Sequence, residues 1–319
     1  MKVLANDGVS NAGIEVLENA GYTVLTDKVE QENLIDTINK DNIEILLVRS
    51  ATTVRRNMID ACPNLKLIGR GGVGMDNIDV QYARDKGRTV INTPAASSQS
   101  VAELVMGHMF AISRSLNDSY KKMESGDFNT LKKKYGKGIE LRGKKLLIVG
   151  FGRIGRSLAS YALGCGMDVI AVDASNSVPQ TIEIQLGNGI SATTTITPQQ
   201  SMKEAITDAD FISLHVPKQK DGSGVIGKSE FEQMKGGVRI INASRGGVID
   251  KEALFEALKS GKVGAVALDV YENEPNPRKD LLSHEKIACT PHIGAATVEA
   301  QDRIGTELAE IIIAKFGTH

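Results

Sequence analysis

The stretch Lys145–Gly166, KLLIVGFGRIGRSLASYALGCG, decides the fold. An apolar run from Leu146 to Val149 leads into Gly150, Gly152 and Gly155, spaced G-x-G-x-x-G. That spacing alone is weak, but its context is complete. A strand precedes it, a helix follows, and a second strand, DVIAVD, ends in Asp173 eighteen residues beyond Gly155. The glycines permit a tight turn and close approach of the backbone to a pyrophosphate, and the helix N-terminus supplies free N–H groups and a positive dipole end. A carboxylate at Asp173 accepts hydrogen bonds from both ribose hydroxyls and repels a 2′-phosphate, so NAD(H) is expected rather than NADP(H). The alternative is a glycine turn that binds nothing, and the flanking strands and helix argue against it.

Outward from that stretch the chain alternates strand and helix. Residues 2–7, 22–27, 43–50, 65–72 and 88–94 read as strands, with helices over 10–21, 31–42, 55–64 and 79–87. The small-residue segment TPAASSQS (93–100) marks a boundary, after which 100–126 reads as one long helix. Val101, Leu104, Val105, His108, Met109 and Ile112 share one face of it by helical spacing. A second series runs from Lys144 to about Pro291, and a helix over 297–316 closes the chain. This rhythm predicts an α/β fold of parallel sheets with helices on both faces, in two domains with a cleft between them.

Bulk properties narrow the function. With 319 residues the chain has room for two domains. A net charge of −1 gives no electrostatic case for nucleic acid or an anionic membrane surface. Cys62, Cys165 and Cys289 lie far apart without CxxC spacing, so neither a disulfide framework nor a metal site is expected, and a reducing cytoplasm fits. The N-terminus MKVLANDGVS turns polar at once, unlike a signal peptide, and no apolar run approaches the length of a membrane span.

The strand VRIINASRGGVID (238–250) then presents Arg245 and two glycines where it leaves the core. A surface arginine at a turn is one reading. A carboxylate clamp is the other, because open α/β sheets bind ligands at the carboxyl ends of their strands. The segment ALDVYENEP brings Asp269, Glu272 and Glu274 to the next strand end, and ACTPHIGAAT brings His292 to the one after. Other histidines read as less chemical: His108 as core, His284 and His319 as surface or terminal, and His215 as a pocket wall.

The motifs VRSATTV, IGRGGVGMDNID, NTPAASSQSVAEL, GFGRIGR, INASRGGVID, ALDVYENEP and TPHIGA occur in this order along nearly the whole chain. In this the sequence resembles the D-isomer-specific 2-hydroxyacid dehydrogenases, and within them the branch that acts on D-3-phosphoglycerate. The resemblance implies two Rossmann-like domains, with residues 1–97 and 294–319 forming a substrate-binding domain and 98–293 an NAD-binding domain. It carries the family's catalytic arginine, glutamate and histidine onto Arg245, Glu274 and His292. A planar guanidinium suits the substrate carboxylate. A histidine titrates near working pH and suits removal of the hydroxyl proton, with Glu274 orienting the imidazole and stabilising its protonated form. Arg153, Ile154 and Asp173 are implied at the adenine-side phosphates and ribose. Val73, His215, Val216, Pro217, Ala243, Ser244, Arg245, Asp269, His292, Gly294 and Ala295 are implied toward the nicotinamide.

For the substrate, a phosphorylated 2-hydroxy acid is expected. Arg49 leads as its phosphate ligand, with Ser50 and the backbone N–H groups of Gly72, Val73 and Gly74 beside it, and Arg245 and His292 at the reacting end. Arg55 and Arg56 read as a solvated helix start, and Lys132–Lys134 as a basic loop, mostly a solvated face. The implied reaction is NAD-dependent oxidation of D-3-phosphoglycerate to 3-phosphohydroxypyruvate, which opens the phosphorylated route to serine. A hydroxypyruvate or glyoxylate reductase and a D-lactate-type dehydrogenase stay open as alternatives, as does a non-catalytic NAD-sensing dimeric scaffold. The family usually forms homodimers through its cofactor domains, and Met106 and Phe110 lie off the main helical stripe. The chain stops after its closing helix, so serine inhibition through a carboxyl-terminal regulatory domain is not expected. Residues 175–200 are loosely patterned and suggest no role.

Overall fold

Short apolar runs separated by amphipathic helices must cross over before pairing, which makes the pairs parallel. The computed structural model describes all of residues 1–319. The chain forms two compact units, Met1–Ser100 with Ala295–His319, and Val101–Gly294.

The first unit holds β1 (Lys2–Ala5), β2 (Thr23–Leu25), β3 (Ile45–Val48), β4 (Leu67–Arg70) and β5 (Thr89–Asn92), ordered β2-β1-β3-β4-β5. All pairs are parallel. Every residue of β3 is buried, as expected for a strand covered on both faces. One face packs Leu34, Ile38, Met58 and Ile59, and the other Leu17, Ala309 and Ile312.

The second unit holds β6 (Lys145–Val149), β7 (Asp168–Val172), a hairpin of β8 (Gln180–Gly187) and β9 (Ile190–Ile196), then β10 (Phe211–Leu214), β11 (Val238–Asn242), β12 (Val263–Leu268) and β13 (Ile287–Cys289). The main sheet is ordered β13-β12-β11-β10-β6-β7 and is parallel throughout. From β6 the chain moves one way to β7 and then returns to the other side of β6 at β10. That reversal makes the carboxyl ends of β6 and β10 a topological switch point. In the first unit β1 and β3 stand in the same relation.

Three expectations need correction. The helix read over 100–126 is broken. Ser98–Arg114 ends at Ser115, which is left-handed at φ 52°, and Leu116–Met123 follows with no buried residue to hold it in line with the core. Lys132–Lys134 is not a loop but the last turn of the helix Phe128–Tyr135, capped by Asp127 accepting from the Thr130 N–H. Lys134 there is tied to Asp118 at 2.8 Å. Finally, Met106 belongs to the core of its own unit, whereas Phe110 is 46 % exposed.

The unassigned segment 175–200 contains the antiparallel β8–β9 hairpin. Its turn is Asn188-Gly189, both at positive φ, the pair that a two-residue hairpin loop favours. Ile182, Ile184 and Ile196 are its covered side chains. No helix of the structure is long and apolar enough to cross a membrane.

The closing helix Val298–Phe316 packs on Asn11–Asn19 through facing glycines, which joins the two ends of the chain in one unit. A Cβ on Gly13 would lie 2.6 Å from the Gly305 backbone. Gly13→Ala is therefore expected to destabilise the protein by about 1–3 kcal/mol through overpacking, read as a lower urea midpoint. An unchanged midpoint would show that the two helices separate freely.

Candidate active site

At the switch point of the second unit the three glycines occupy different surroundings. Gly150 follows β6 at φ 94°, and a Cβ there would sit 2.4 Å from the His215 carbonyl oxygen. The same crowding shows in the His215 N–H, which donates to the Val149 carbonyl at 2.7 Å. Gly155 presses its helix on the turn, since a Cβ would meet the Gly150 carbonyl at 2.3 Å. Gly152 is the N-cap of the helix Arg153–Gly164, and a Cβ there would meet nothing within 4 Å. The open space therefore lies in front of free helix N–H groups, where a pyrophosphate fits. Arg153 is exposed on the first turn and Ile154 is half-buried.

Asp173 ends β7 opposite this loop. Its carboxylate accepts from the Phe151 N–H at 3.0 Å and from the Ser175 N–H and hydroxyl at 3.0 and 2.7 Å. Burial works against the charge, but these hydrogen bonds outweigh it and hold the carboxyl below its ordinary range. A fixed negative group thus stands beside the cradle, which suits the two hydroxyls of a free ribose and not a 2′-phosphate. The residues present fit NAD.

The loop after β11 is built by Asn242. Its side-chain oxygen accepts from the Ser244 N–H and hydroxyl, and its amide donates to the Arg245 carbonyl at 2.9 Å. The Arg245 guanidinium donates to the Ser244 carbonyl at 2.7 Å. Gly246 and Gly247 explain the glycine pair of the motif. A Cβ on Gly246 would fall 2.1 Å from the Tyr271 backbone, and Gly247 is at φ 81°. The loop after β11 therefore lies directly against the loop after β12, which carries Glu274.

Glu274 joins two elements. One carboxylate oxygen accepts from the Tyr271 N–H at 2.8 Å and the other contacts His292 Nδ1 at 2.7 Å. Burial pushes its carboxyl up, but the His292 and Tyr271 hydrogen bonds and the charges of His292 and Arg245 prevail and hold it below the usual range. An ionised Glu274 only accepts, so Nδ1 carries the proton and Nε2 is the free nitrogen. The His292 side chain is 40 % exposed.

His292 itself is left-handed at φ 55°. Its turn is held by Asp269, which is only 1 % exposed. The Asp269 carboxylate accepts from the Ile293 and Gly294 N–H groups, both at 2.8 Å, and from the Thr290 hydroxyl at 2.6 Å. Ala243, Ser244, Val216 and Pro217 lie on the loops after β11 and β10. His215 is half-buried, with Nε2 at 2.8 Å from the Ser213 hydroxyl and Nδ1 shut off from water without a partner. Burial lowers its pKa to about 4, so it stays neutral.

Val73, Ala295 and the expected phosphate ligands belong to the first unit. Arg49 follows β3, and its guanidinium makes no hydrogen bond or ion pair. The loop it begins is fixed by two residues that the sequence reading did not single out. Asp7 accepts from the Arg49 N–H at 2.7 Å and from the Thr52 N–H and hydroxyl at 3.0 and 2.7 Å. Asn77 donates to the carbonyls of Arg49 and Thr52. The Gly72 N–H is already spent on the Thr93 hydroxyl, so of the expected backbone donors only those of Val73 and Gly74 keep theirs. Arg70, also missed, ends the adjacent strand with its guanidinium against Gly72, where a Cβ would meet it at 1.8 Å. The clue was its place at a strand end paired in register with Val48.

Residues 106–294 match the D-isomer specific 2-hydroxyacid dehydrogenase, NAD binding domain. The chain belongs to this family and is an NAD-dependent oxidoreductase. It is 41 % identical to hydroxypyruvate reductase of Thermotoga maritima, covering 99 % of this chain and 98 % of that one. It is 40 % identical to D-3-phosphoglycerate dehydrogenase of Methanocaldococcus jannaschii over 98 % of this chain, and spans 57 % of that relative's length. Among solved structures, glyoxylate reductase from Paecilomyes thermophila superposes with a TM-score of 0.82 at 28 % identity, covering 99 % of this chain and 96 % of that one. The scaffold alternative gives way to an enzyme.

The glycine geometry separates folding from binding. Gly152→Ala is expected to leave thermal unfolding near the parent while weakening NADH by about tenfold, because the methyl enters the open cradle. Gly150→Ala is expected to destabilise by about 1–3 kcal/mol from its positive φ alone. Calorimetry beside fluorescence titration of NADH checks both, and equal NADH affinity in Gly152→Ala would place the pyrophosphate elsewhere.

Proposed function

We propose that the enzyme oxidises D-3-phosphoglycerate to 3-phosphohydroxypyruvate, the entry step of phosphorylated serine synthesis. The observation that carries this reading is the unpaired Arg49 guanidinium at the carboxyl end of β3, a standing cation suited to a phosphate. Arg245 holds the substrate carboxylate through its planar fork. His292 Nε2 removes the C2 hydroxyl proton, and Glu274, accepting from Nδ1, keeps the imidazole in the tautomer that makes Nε2 the base. NAD held by the Gly150–Gly155 loop and Asp173 would supply the acceptor for the hydride lost from C2. In the reverse direction protonated His292 returns its proton to the ketone oxygen. Asp173 selects NAD through its free-ribose preference, and the loops after β10 and β11 line the nicotinamide side.

The match to hydroxypyruvate reductase over nearly the full length of both chains favours a second reading, in which the unphosphorylated acid is the substrate. NADH oxidation with 3-phosphohydroxypyruvate, hydroxypyruvate, glyoxylate and pyruvate separates the two. We expect preference for the phosphorylated acid, and Arg49→Ala to raise its KM roughly 10- to 100-fold, the worth of a charged hydrogen bond. His292→Asn is expected to lower kcat by about 10²–10⁴ on every substrate. Equal turnover of hydroxypyruvate, untouched by Arg49→Ala, would establish the second reading.

We also propose a cytoplasmic homodimer. Three unbridged cysteines support a reducing compartment. Phe110, Leu116, Tyr120, Met123 and Phe128 are exposed on consecutive helices of the NAD-binding unit and supply an apolar face for a second copy. Sedimentation is expected to give twice the 34.2 kDa chain mass, and a single-chain mass would overturn it.

A further inference from the structure

A buried histidine outside the Glu274–His292 pair is wired to it. His108, in the helix Ser98–Arg114, is 4 % exposed. Its Nε2 lies 3.0 Å from the Thr290 hydroxyl, which donates to Asp269 at 2.6 Å. An ionised carboxylate accepts only, so the hydroxyl proton points at Asp269 and a lone pair of the hydroxyl faces His108. His108 must then donate from Nε2. Burial lowers its pKa against the opposing pull of Asp269, which keeps it a neutral donor. Asp269 in turn takes the N–H groups of Ile293 and Gly294, the two residues after left-handed His292.

We propose that His108 is a positioning residue for the reaction: through Thr290 and Asp269 it sets the turn that aims His292. A satisfied core histidine would need only some partner. This one meets a hydroxyl whose own proton is committed, so the chain of donors runs one way, from His108 to the backbone beside His292. A left-handed histidine is costly to hold, and Asp269 is the group that holds it. If the Thr290 hydroxyl loses its donor it gains a free lone pair in a buried site, and its rotamer is no longer fixed toward Asp269. The inference rests on His292 being the acid–base residue.

The experiment compares His108→Leu, which removes the donor at similar volume, with His108→Gln, whose amide nitrogen can reach the position of Nε2. Thr290→Val and Thr290→Ser form the second pair. We expect His108→Leu and Thr290→Val each to lower kcat by about tenfold, since small displacements of a reacting group cost rate steeply. KM for NADH should stay within about twofold, while His108→Gln and Thr290→Ser recover most of the loss. In the double variant His108→Leu/Thr290→Val the losses should not multiply, because both break one chain. Equal losses in Leu and Gln at 108, multiplying losses, or parental kcat in His108→Leu would each overturn the proposal. Should His108→Leu fail to fold, the Thr290 pair decides, with equal kcat in Val and Ser as the overturning result. His292→Asn run alongside tells the two failures apart. If it stays active the acid–base reading falls, and if it is inert while the 108 and 290 variants match the parent only the positioning role falls.

Discussion

Reversal of strand order between β6 and β10 is the constraint on which the NAD-binding unit depends. In a parallel sheet every strand delivers its carboxyl end to the same edge, so the loops after β6, β10, β11, β12 and β13 gather there without further design. At the reversal, neighbouring connections leave toward opposite faces and the edge stays open between them. Gly150 is the price of that approach, because its missing side chain is what lets the loop after β6 lie on the His215 carbonyl. The same logic recurs where Gly246 lets the loop after β11 lie on Tyr271. Gly150, Gly155 and Gly246 thus serve backbone contact, while Gly152, alone among the five glycines of these two motifs, faces open space.

The family's main features were legible because they rest on local rules. A glycine at a tight turn, an acid eighteen residues on and alternating strands and helices each leave a short-range trace, and the parallel sheets followed from them. What escaped depends on distant partners. Ser115 adopts a left-handed conformation in a stretch of good helical pattern, because the helix after it has no buried side chain to keep it in line. Lys132–Lys134 looked like a basic loop, and only Asp127 as a cap and Asp118 as a partner across sixteen residues show the helix. The β8–β9 hairpin had its Asn188-Gly189 turn and the alternating Ile182, Ile184 and Leu186 in plain view, but β9 carries mostly Ser, Ala and Thr, so only one strand of the pair shows the pattern clearly.

At the site, strand-end reasoning singled out Arg245, Asp269, Glu274, His292 and Arg49 as candidates, but not Asp7, Asn77 and Asn242, which brace the loops that carry two of them. Asp7 and Asn77 act by accepting from or donating to backbone groups of a distant segment, which no spacing in the chain predicts, whereas Asn242 braces its own loop through residues two and three positions on. His108 was readable only as one more member of an apolar stripe. Its polar partner, Thr290, is 182 residues away in the chain.

The electrostatics of the two units differ in a way that bears on substrate choice. In the NAD-binding unit the Glu274–His292 pair is exposed enough that it adds little to stability, as for surface pairs in general. Its contact is better explained by the tautomer it fixes, which keeps Nδ1 protonated and leaves Nε2 as the proposed base. In the other unit a carboxylate stands beside an arginine without neutralising it. Asp7 spends its oxygens on the N–H groups and hydroxyl of the Arg49–Thr52 loop, so it rigidifies the backbone from which Arg49 projects and leaves the guanidinium uncommitted. Holding the backbone with the acid while keeping the cation free is the arrangement expected where an anion arrives from outside, and a dianionic phosphate draws on such a cation more strongly than a neutral hydroxyl does. That difference is the physical ground for placing the phosphorylated acid ahead of hydroxypyruvate.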